Sequence, residues 1–216
     1  YSEHLANPLW VTYKVTESRF KSGRRPSGFS SDWRTFSGIS HQDYTGSGYN
    51  RGHMAPNYVI ASRYGRSAQL ETFLMTNISP QKGSLNQKSL QRLEEDVAND
   101  FSNWHGDFWV VTGPIFDENP KTIKQTKVAI PKAFYKILIK PRTAENEAIA
   151  LAFIFSQKAK VDASLMSFVT SVDEVEQQSG IDFFSAFEDG FEAVLESTVN
   201  PDDWRLKEVA DQPSRY

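Results

Sequence analysis

The alternation of hydrophobic and polar positions along the chain predicts a sheet built from several short strands. Residues 10–15 alternate large and polar side chains, as a half-buried strand does. Residues 148–155 are apolar almost throughout, which is typical of a central strand. The same criteria predict further strands or extended segments at residues 72–77, 108–112, 128–130 and 134–140. The turn at residues 46–48 predicts that the His53 segment begins as a short strand.

Two stretches have the pattern of helices. The longer one places most of its apolar side chains on one helical face, at Leu85, Leu90, Leu93, Val97, Phe101 and Trp104. The other is predicted to begin after Ser171, which forms a capping-box sequence with Glu174, and to end at Gly180. These elements predict an α+β fold, with a central antiparallel or mixed sheet and packed helices.

The composition is that of an ordinary globular protein. Of 216 residues, 39% are hydrophobic and 13% aromatic. The chain is expected to form a single domain over residues 1–216. The segment after about residue 200 is expected to be a polar tail that Trp204 anchors. No apolar run approaches the roughly 20 residues that a membrane-spanning helix needs, so no membrane association is expected. The lack of cysteine excludes disulfides, thiolate zinc sites and cysteine nucleophiles.

The first residue is Tyr1 rather than Met. We therefore expect a processed or trimmed form, secreted or periplasmic after removal of a leader, with a mitochondrial location as the alternative.

The net charge of −3 hides an uneven distribution of charge. Residues 1–92 hold 12 Lys and Arg against 5 Asp and Glu, whereas residues 93–216 hold 12 against 22. The basic half could attract a polyanion to one face of the molecule while the acidic half stays solvated. A solvated mixed surface would give the same counts, so charge alone leaves both interpretations open.

The segment Asn50-Arg51-Gly52-His53-Met54-Ala55-Pro56 concentrates groups suited to phosphodiester cleavage. The imidazole of His53 has an unperturbed pKa of about 6.5, so it can take a proton from water near neutral pH. Arg51 offers paired donors that match a phosphate, and Gly52 permits a close approach of the backbone. A bulged strand with a surface histidine is the alternative interpretation of the same segment.

A metal site is the second candidate feature. The sequence contains no phosphate-binding P-loop, His-Glu-x-x-His helix, nucleophile elbow or EF-hand loop. Mg²⁺ needs only one or two protein oxygens, so Asn86 near the start of the long helix could hold it, with Glu94 as an outer-shell carboxylate. Eight residues along a helix separate the two by about 12 Å, so one ion is not expected to touch both. A capping role for Asn86 and a solvated position for Glu94 are the structural alternatives.

Four short motifs follow one another along the chain. They are Arg51-Gly52-His53-Met54-Ala55-Pro56, Thr76-Asn77-Ile78-Ser79-Pro80-Gln81, Leu85-Asn86-Gln87 and Arg92-Leu93-Glu94. In this order and spacing they resemble the signatures of the DNA/RNA non-specific endonucleases, sugar-non-specific nucleases of the ββα-metal type related to endonuclease G. Segments at residues 10–11, 25–32, 111–114, 130–136 and 171–184 agree with that family in order, so the resemblance covers about residues 7–190.

The resemblance implies a ββα-metal motif that hydrolyses DNA and RNA to 5′-phosphate ends. His53 would be the general base that takes a proton from the attacking water. Asn86 would be the one direct protein ligand of Mg²⁺ or Mn²⁺, and Glu94 would hold a water of the metal from the outer shell.

Three further site residues and the partners are also implied by the resemblance. Arg51 and Arg25 resemble phosphate-contacting arginines, and Asn77 resembles a site asparagine that supports the geometry. His53, Arg51, Asn77 and Glu94 are thus the catalytic candidates. DNA and RNA are the expected substrates, and a homodimer and a protein inhibitor are further partners suggested by relatives.

Two positions depart from the usual pattern of that family. Asn50 stands where most relatives have Asp, which is expected to change the electrostatic tuning of the imidazole and the ion. Ala98 stands where many relatives have Arg, which is expected to remove one phosphate contact. A catalytically silent nucleic-acid-binding homologue and an exonuclease-type trimmer of DNA ends are therefore kept as alternative functions.

Overall fold

Seven strands and five α-helices form in the part of the chain that this computed structural model describes, residues 1–144 and 147–213. The strands are β1 (Val11–Val15), β2 (Asn50–His53), β3 (Ile78–Gln81), β4 (Phe108–Ile115), β5 (Ala133–Lys140), β6 (Ile149–Ser156) and β7 (Val169–Thr170). The helices are α1 (Asn57–Glu71), α2 (Leu90–Asp96), α3 (Ser102–His105), α4 (Val172–Ser179) and α5 (Asp189–Ser197).

The centre of the fold is an antiparallel sheet. Of the strands in the described residues, five pair antiparallel in the order β1-β4-β5-β6-β7. Because side chains alternate along a strand, Phe134 and Leu138 of β5 face one core, with the long helix, and Tyr135 and Ile137 face another, with α4 and α5. The predicted α+β fold with an antiparallel sheet is confirmed.

β2 and β3 form a separate two-stranded antiparallel ribbon, and β2 ends at His53. A Cβ atom at Gly52 would lie 2.0 Å from the side chain of Gln81, which is buried, so the ribbon requires a glycine there. The strand predicted at residues 72–77 is misplaced, since the strand begins only at Ile78. The side-chain amide of Asn77 donates to the carbonyl of Thr72 and closes these residues into a turn.

Residues 85–105 form one continuous helix that alternates between π-helical and α-helical winding. α2 lies between two π-helical segments, Leu85–Ser89 and Val97–Phe101, and α3 completes the helix. The predicted apolar stripe is confirmed, since the buried positions include Leu85, Leu90, Leu93, Val97 and Phe101. The guanidinium of Arg63 donates to the carbonyl of Ala98, so a side chain of α1 supports the second π-helical segment.

Two elements differ from the prediction made from the hydrophobic pattern. α1 has no predicted counterpart, because its buried apolar positions cluster at residues 59–61 and Gly65, with φ +84°, breaks the helical period. The strand predicted at residues 128–130 is wrong. Ala129 forms only an isolated antiparallel bridge with Thr122. It also bonds to the N-terminal segment, where its N–H donates to the carbonyl of Leu5 and its carbonyl accepts from the amide of Asn7.

The segment after residue 200 is folded into the protein rather than forming only a polar tail. Trp204 is fully buried in the main core, and Leu206, Val209 and Ala210 are buried beside it. The guanidinium of Arg92 donates to the carbonyls of Gln212 and Ala163, which holds this segment against the long helix. No helix in the described residues is long and apolar enough to cross a membrane.

Candidate active site

A cleft of about 640 Å³ lies between the β2 end of the ribbon and the long helix. Its walls include five of the six residues that the sequence singled out, namely Arg25, Arg51, His53, Asn86 and Glu94. The sixth, Asn77, is buried behind the cleft. Residues up to 69 positions apart in sequence are therefore brought together around one cavity.

His53 is the last residue of β2 and is held between two phenylalanine rings. Its ring centroid lies 5.3 Å from that of Phe29 and 4.8 Å from that of Phe73, the latter edge-on. Its Nε2 is buried and has no hydrogen-bond partner in the described residues. Burial, and secondarily the positive charge of Arg25, lower the pKa of His53 to about 3. The imidazole is therefore neutral near pH 7 and can accept a proton.

Asn77 fixes the backbone that follows His53. Its side-chain oxygen accepts from the N–H of Ala55 at 2.9 Å, and its amide nitrogen donates to the carbonyl of Ala55 at 3.0 Å. Its own carbonyl accepts from the N–H of Met54. The side chain thus acts as a clamp on the chain directly after the imidazole, and its polar atoms are engaged within the protein.

Asn86 and Glu94 face the same cleft because of the π-helical segment. In a regular α-helix, residues eight positions apart are rotated by about 80° around the axis. A π-helical turn holds one extra residue and brings such a pair to within about 20° of alignment. In the described residues, no hydrogen bond engages the side-chain amide of Asn86, which leaves its oxygen free to bind a ligand.

Glu94 is paired with a lysine that rises from the sheet. The Nζ atom of Lys136 lies 3.4 Å from Oε1 of Glu94, and the lysine side chain is 2% exposed. Burial raises the pKa of Glu94 above its ordinary value, and the charge of Lys136 opposes that shift. The ion pair fixes the position of this carboxylate, which lines the same cleft as Asn86.

The comparison with protein-family models decides the family. A model described as DNA/RNA non-specific endonuclease matches residues 1–190. The chain belongs to this family. The match confirms the resemblance seen in the four motifs, and the family is divalent-metal dependent.

Several nucleases are similar to this family member. The nuclease of Serratia marcescens is 30% identical over 87% of this chain and 72% of that protein. The mitochondrial nuclease EXOG of Mus musculus is 30% identical over 85% of this chain and 54% of that protein. Human mitochondrial endonuclease G is 28% identical over 85% of this chain and 65% of that protein. The chain spans about half the length of the mitochondrial EXOG proteins that it matches.

A solved structure has the same fold. The crystal structure of the EndoG/EndoGI complex, which concerns the mechanism of EndoG inhibition, superposes with a TM-score of 0.77 at 24% identity. The match covers 87% of this chain and 82% of that one. At this identity the likeness establishes the fold alone, and it agrees with the predicted α+β architecture.

The two arginines of this family member occupy different settings in the cleft. Arg25 is exposed, and its guanidinium carbon lies 5.4 Å from the ring centroid of Phe73. Arg51 is half-buried, and its Nε and Nη2 donate to the carbonyl of His41 and to the hydroxyl of Thr45. Arg25 is thus the more exposed cation, whereas Arg51 is anchored to a neighbouring loop.

The two departures from the endonuclease pattern lie outside the cleft wall. Arg51 and His53 share one face of β2, so Asn50 lies on the opposite face with Gly52. Ala98 is buried, and Asn99 lines the cleft one turn after Glu94 because the helix is π-wound there. Asn50 is therefore separated from the imidazole by the strand itself.

The donor groups of the cleft fit the hard divalent cation that the endonuclease family uses. Its wall offers the amide oxygen of Asn86 and the carboxylates of Glu94 and Glu95, and oxygen is the ligand that such cations prefer. In the described residues, acidic groups of three or more that could hold an ion lie between α4 and α5, not in the cleft. The cleft thus suits an ion with few protein ligands.

Four residues that contribute to the site of this endonuclease-family chain were not predicted. Lys136 could have been found, because a lysine inside an otherwise apolar strand requires a buried anionic partner. The roles of Phe29 and Phe73 could not have been found, since nothing in the sequence relates these residues to His53. Gln157 was also missed. It donates to the carbonyl of Pro80 and accepts from the N–H of Lys82, which positions the start of the long helix.

The buried imidazole predicts a pH dependence of stability. With a pKa of about 3 in the folded protein and about 6.5 in the unfolded chain, only the unfolded chain binds a proton at residue 53 between these values. The unfolded chain is thus favoured as the pH falls below 6.5, and the free energy of unfolding should drop by about 2 kcal/mol between pH 7 and pH 5. The free energy of unfolding in urea is measured for the wild type and for His53→Gln at both pH values. The contribution of His53 is the change with pH in the wild type minus the change in the variant. Parallel pH curves for the two proteins would contradict it.

Proposed function

We propose that the chain is a metal-dependent endonuclease that hydrolyses the phosphodiester bonds of DNA and RNA to 5′-phosphate ends. The observation that carries the proposal is the convergence of His53, Asn86, Glu94 and two arginines on one cleft. Their arrangement supplies a base, an amide oxygen for a cation, and positive charge for a polyanion. Similarity to nucleases over 85% or more of the chain supports the same activity.

His53 acts in the proposal as the general base. The ring is neutral near pH 7 because burial lowers its pKa to about 3, and Nε2 has no hydrogen-bond partner in the described residues. Phe29 and Phe73 restrict the ring, while Asn77 fixes the backbone beyond it. An anionic phosphate bound in the cleft would favour the imidazolium and raise the pKa of His53 toward neutrality, which suits proton transfer from water.

Asn86 would hold Mg²⁺ or Mn²⁺ through its amide oxygen. When bound, such an ion neutralises negative charge that develops on the phosphate oxygens and on the leaving oxygen. Glu94 would act from the outer shell, because its carboxylate is fixed by Lys136 at 3.4 Å. The Asn86 amide is available for this role, since no described residue engages it.

Arg25 and Arg51 would bind the phosphates of the substrate. Contacts to phosphate fix position and carry no base sequence directly, so we expect little base preference and cleavage of both DNA and RNA. Arg51 is anchored to the carbonyl of His41 and would present a fixed charge. Arg25 is exposed and would adapt to different backbone geometries.

Incubation of the purified chain with covalently closed plasmid, end-labelled linear DNA and RNA tests the proposal. With Mg²⁺ or Mn²⁺ all three are expected to be cut, and EDTA should stop the reaction. Cleavage of linear DNA from its ends with the closed circle left intact would instead show the end-trimming alternative. Binding without cleavage in Mg²⁺ and in Mn²⁺ would show the catalytically silent alternative and overturn the proposal.

The proposal also covers the binding partners and the cellular location of the protein. The EndoG/EndoGI structure concerns inhibition of a related fold, which supports a protein inhibitor as a partner here, and a homodimer is retained from the family resemblance. Relatives include mitochondrial nucleases of animals and a nuclease of Serratia marcescens. We propose a mitochondrial or exported protein, which tagging of the native gene product and fractionation would distinguish.

A further inference from the structure

Five carboxylates converge between α4 and α5, on the face of the sheet opposite the cleft. They are Asp173, Glu176, Asp182, Glu192 and Glu196. α4 and α5 pack on the core that contains Tyr135 and Ile137, whereas the cleft helix packs on the other core. The cluster is therefore separated from the proposed catalytic residues by the thickness of the sheet.

Glu196 is the buried member at the centre of this cluster. It is 6% exposed, and its Oε1 has no hydrogen-bond partner in the described residues. The other side of its carboxyl group faces the carboxyl of Glu176, which is itself positioned by accepting from the N–H of Phe183 at 2.7 Å. A buried carboxylate with an unpartnered oxygen is costly unless a cation or a donor satisfies it.

Within the described residues, no positively charged side chain pairs with the cluster. None of the ion pairs between described residues involves these five side chains. Burial, and secondarily the neighbouring carboxylates of Glu176 and Glu192, raise the pKa of Glu196 to about 7. Burial likewise raises the pKa of Glu192, whose Oε1 is also buried without a hydrogen-bond partner in the described residues. The fold thus concentrates negative charge that a bound cation would relieve.

The spacing of the oxygens fits a calcium ion. One oxygen from each of Asp173, Glu176 and Glu196 lies within 4.8 Å of the others, and the same holds for Asp182, Glu192 and Glu196. Ca²⁺ takes about six to eight oxygen ligands and binds several carboxylates at once, whereas Mg²⁺ usually keeps several waters and takes only one or two carboxylates. Asp173 and Asp182 are exposed, which gives an ion a route into the cluster from solvent.

We propose that this cluster is a second metal site, which binds Ca²⁺ with Glu196 as the shared ligand and ties α5 to α4. The ligands come from both helices and from Asp182 in the connection between them. Calcium therefore stabilises the packing of these helices on the sheet. This role is independent of phosphodiester cleavage, because the cluster and the cleft lie on opposite faces.

Calcium titration of the full chain by isothermal calorimetry tests the proposal, in an Asn86→Ala background that removes the cleft's amide ligand. The Asn86→Ala protein, the parent in this experiment, is expected to bind one Ca²⁺ per chain. Adding Glu196→Gln to it should weaken calcium binding at least tenfold. The melting temperature should rise with Ca²⁺ in the parent and stay unchanged in the Glu196→Gln variant. Glu196→Gln should fold, because it removes a buried negative charge without changing shape.

A matched control separates a site from general charge screening. Glu188→Gln makes the same change at an exposed residue that precedes α5 and lies outside the cluster. Calcium binding should be unchanged in this control. Absence of calcium binding in the parent, unchanged binding in Glu196→Gln, or equal loss in Glu188→Gln would overturn the proposal. None of these outcomes depends on nuclease activity.

Discussion

Replacement of His53 by alanine is expected to lower the rate of plasmid cleavage by about 10³-fold, within the range of 10² to 10⁴ that general-base catalysis contributes. The residue supplies the one imidazole in the cleft wall of the described residues, and its ring is neutral near pH 7. Initial rates of supercoiled plasmid loss at saturating Mg²⁺ measure the effect. Metal binding should be retained, because His53 lies on the ribbon and the metal ligand on the helix.

The control for this substitution is His4→Ala, which removes an imidazole from an exposed position outside the cleft. It should leave the rate within about twofold of wild type. Because the His53 ring packs against Phe29 and Phe73, the melting temperature of His53→Ala must be measured beside the rate. Wild-type cleavage by a folded His53→Ala protein would refute the assigned base.

Replacement of Asn86 by alanine is expected to lower the cleavage rate by about 100-fold or more and to raise the Mg²⁺ concentration needed for half-maximal rate. The side-chain amide is the proposed direct protein ligand, and an ion at a phosphate stabilises the transition state by several kcal/mol. Rates measured over a range of Mg²⁺ concentrations separate the two effects. The amide makes no hydrogen bond to a described residue, so its loss should cost little stability.

Asn103→Ala on the same helix is the matched control. Asn103 is exposed and lies outside the cleft, so the same amide is removed where no ligand role is proposed. Its rate and Mg²⁺ requirement should equal those of the wild type. An Asn86→Ala protein with an unchanged Mg²⁺ requirement would show that the ion is held by other groups.

Local sequence signals predicted much of the fold. Ser171 accepts from the N–H of Glu174 at 3.1 Å and Gly180 adopts φ +71°, as the capping box and the terminal glycine indicated. Four of the predicted strands, at residues 10–15, 108–112, 134–140 and 148–155, lie in the main sheet within two or three residues of their predicted ends. These features depend on side-chain periodicity and on contacts between near neighbours, which a sequence displays directly.

Features that depend on distant contacts could not be predicted. The π-winding of the long helix coincides with a bond from Arg63 to the carbonyl of Ala98, 35 positions away. The pair of Lys136 and Glu94 joins a strand to a helix across 42 positions, and burial of residues 204–210 depends on a core formed by earlier elements. Each is a tertiary effect that overrides local pattern.

The candidate site shows the same division. The sequence resemblance identified five of the residues that line the cleft, namely Arg25, Arg51, His53, Asn86 and Glu94. It did not show that Asn77 is engaged entirely by backbone atoms, nor that Arg51 is tied to His41. It also could not show that π-winding turns Asn86 and Glu94 toward one face.

The central claim is that the imidazole of His53 and a cation on Asn86 act on one phosphorus from opposite sides of the cleft. A crystal structure of His53→Ala with Mg²⁺ and a short DNA duplex tests it most directly. We expect an ion on the Asn86 oxygen that also touches a phosphate, with that phosphorus between the ion and the space left at residue 53. An ion found only between α4 and α5, or a duplex bound away from the cleft, would contradict the account.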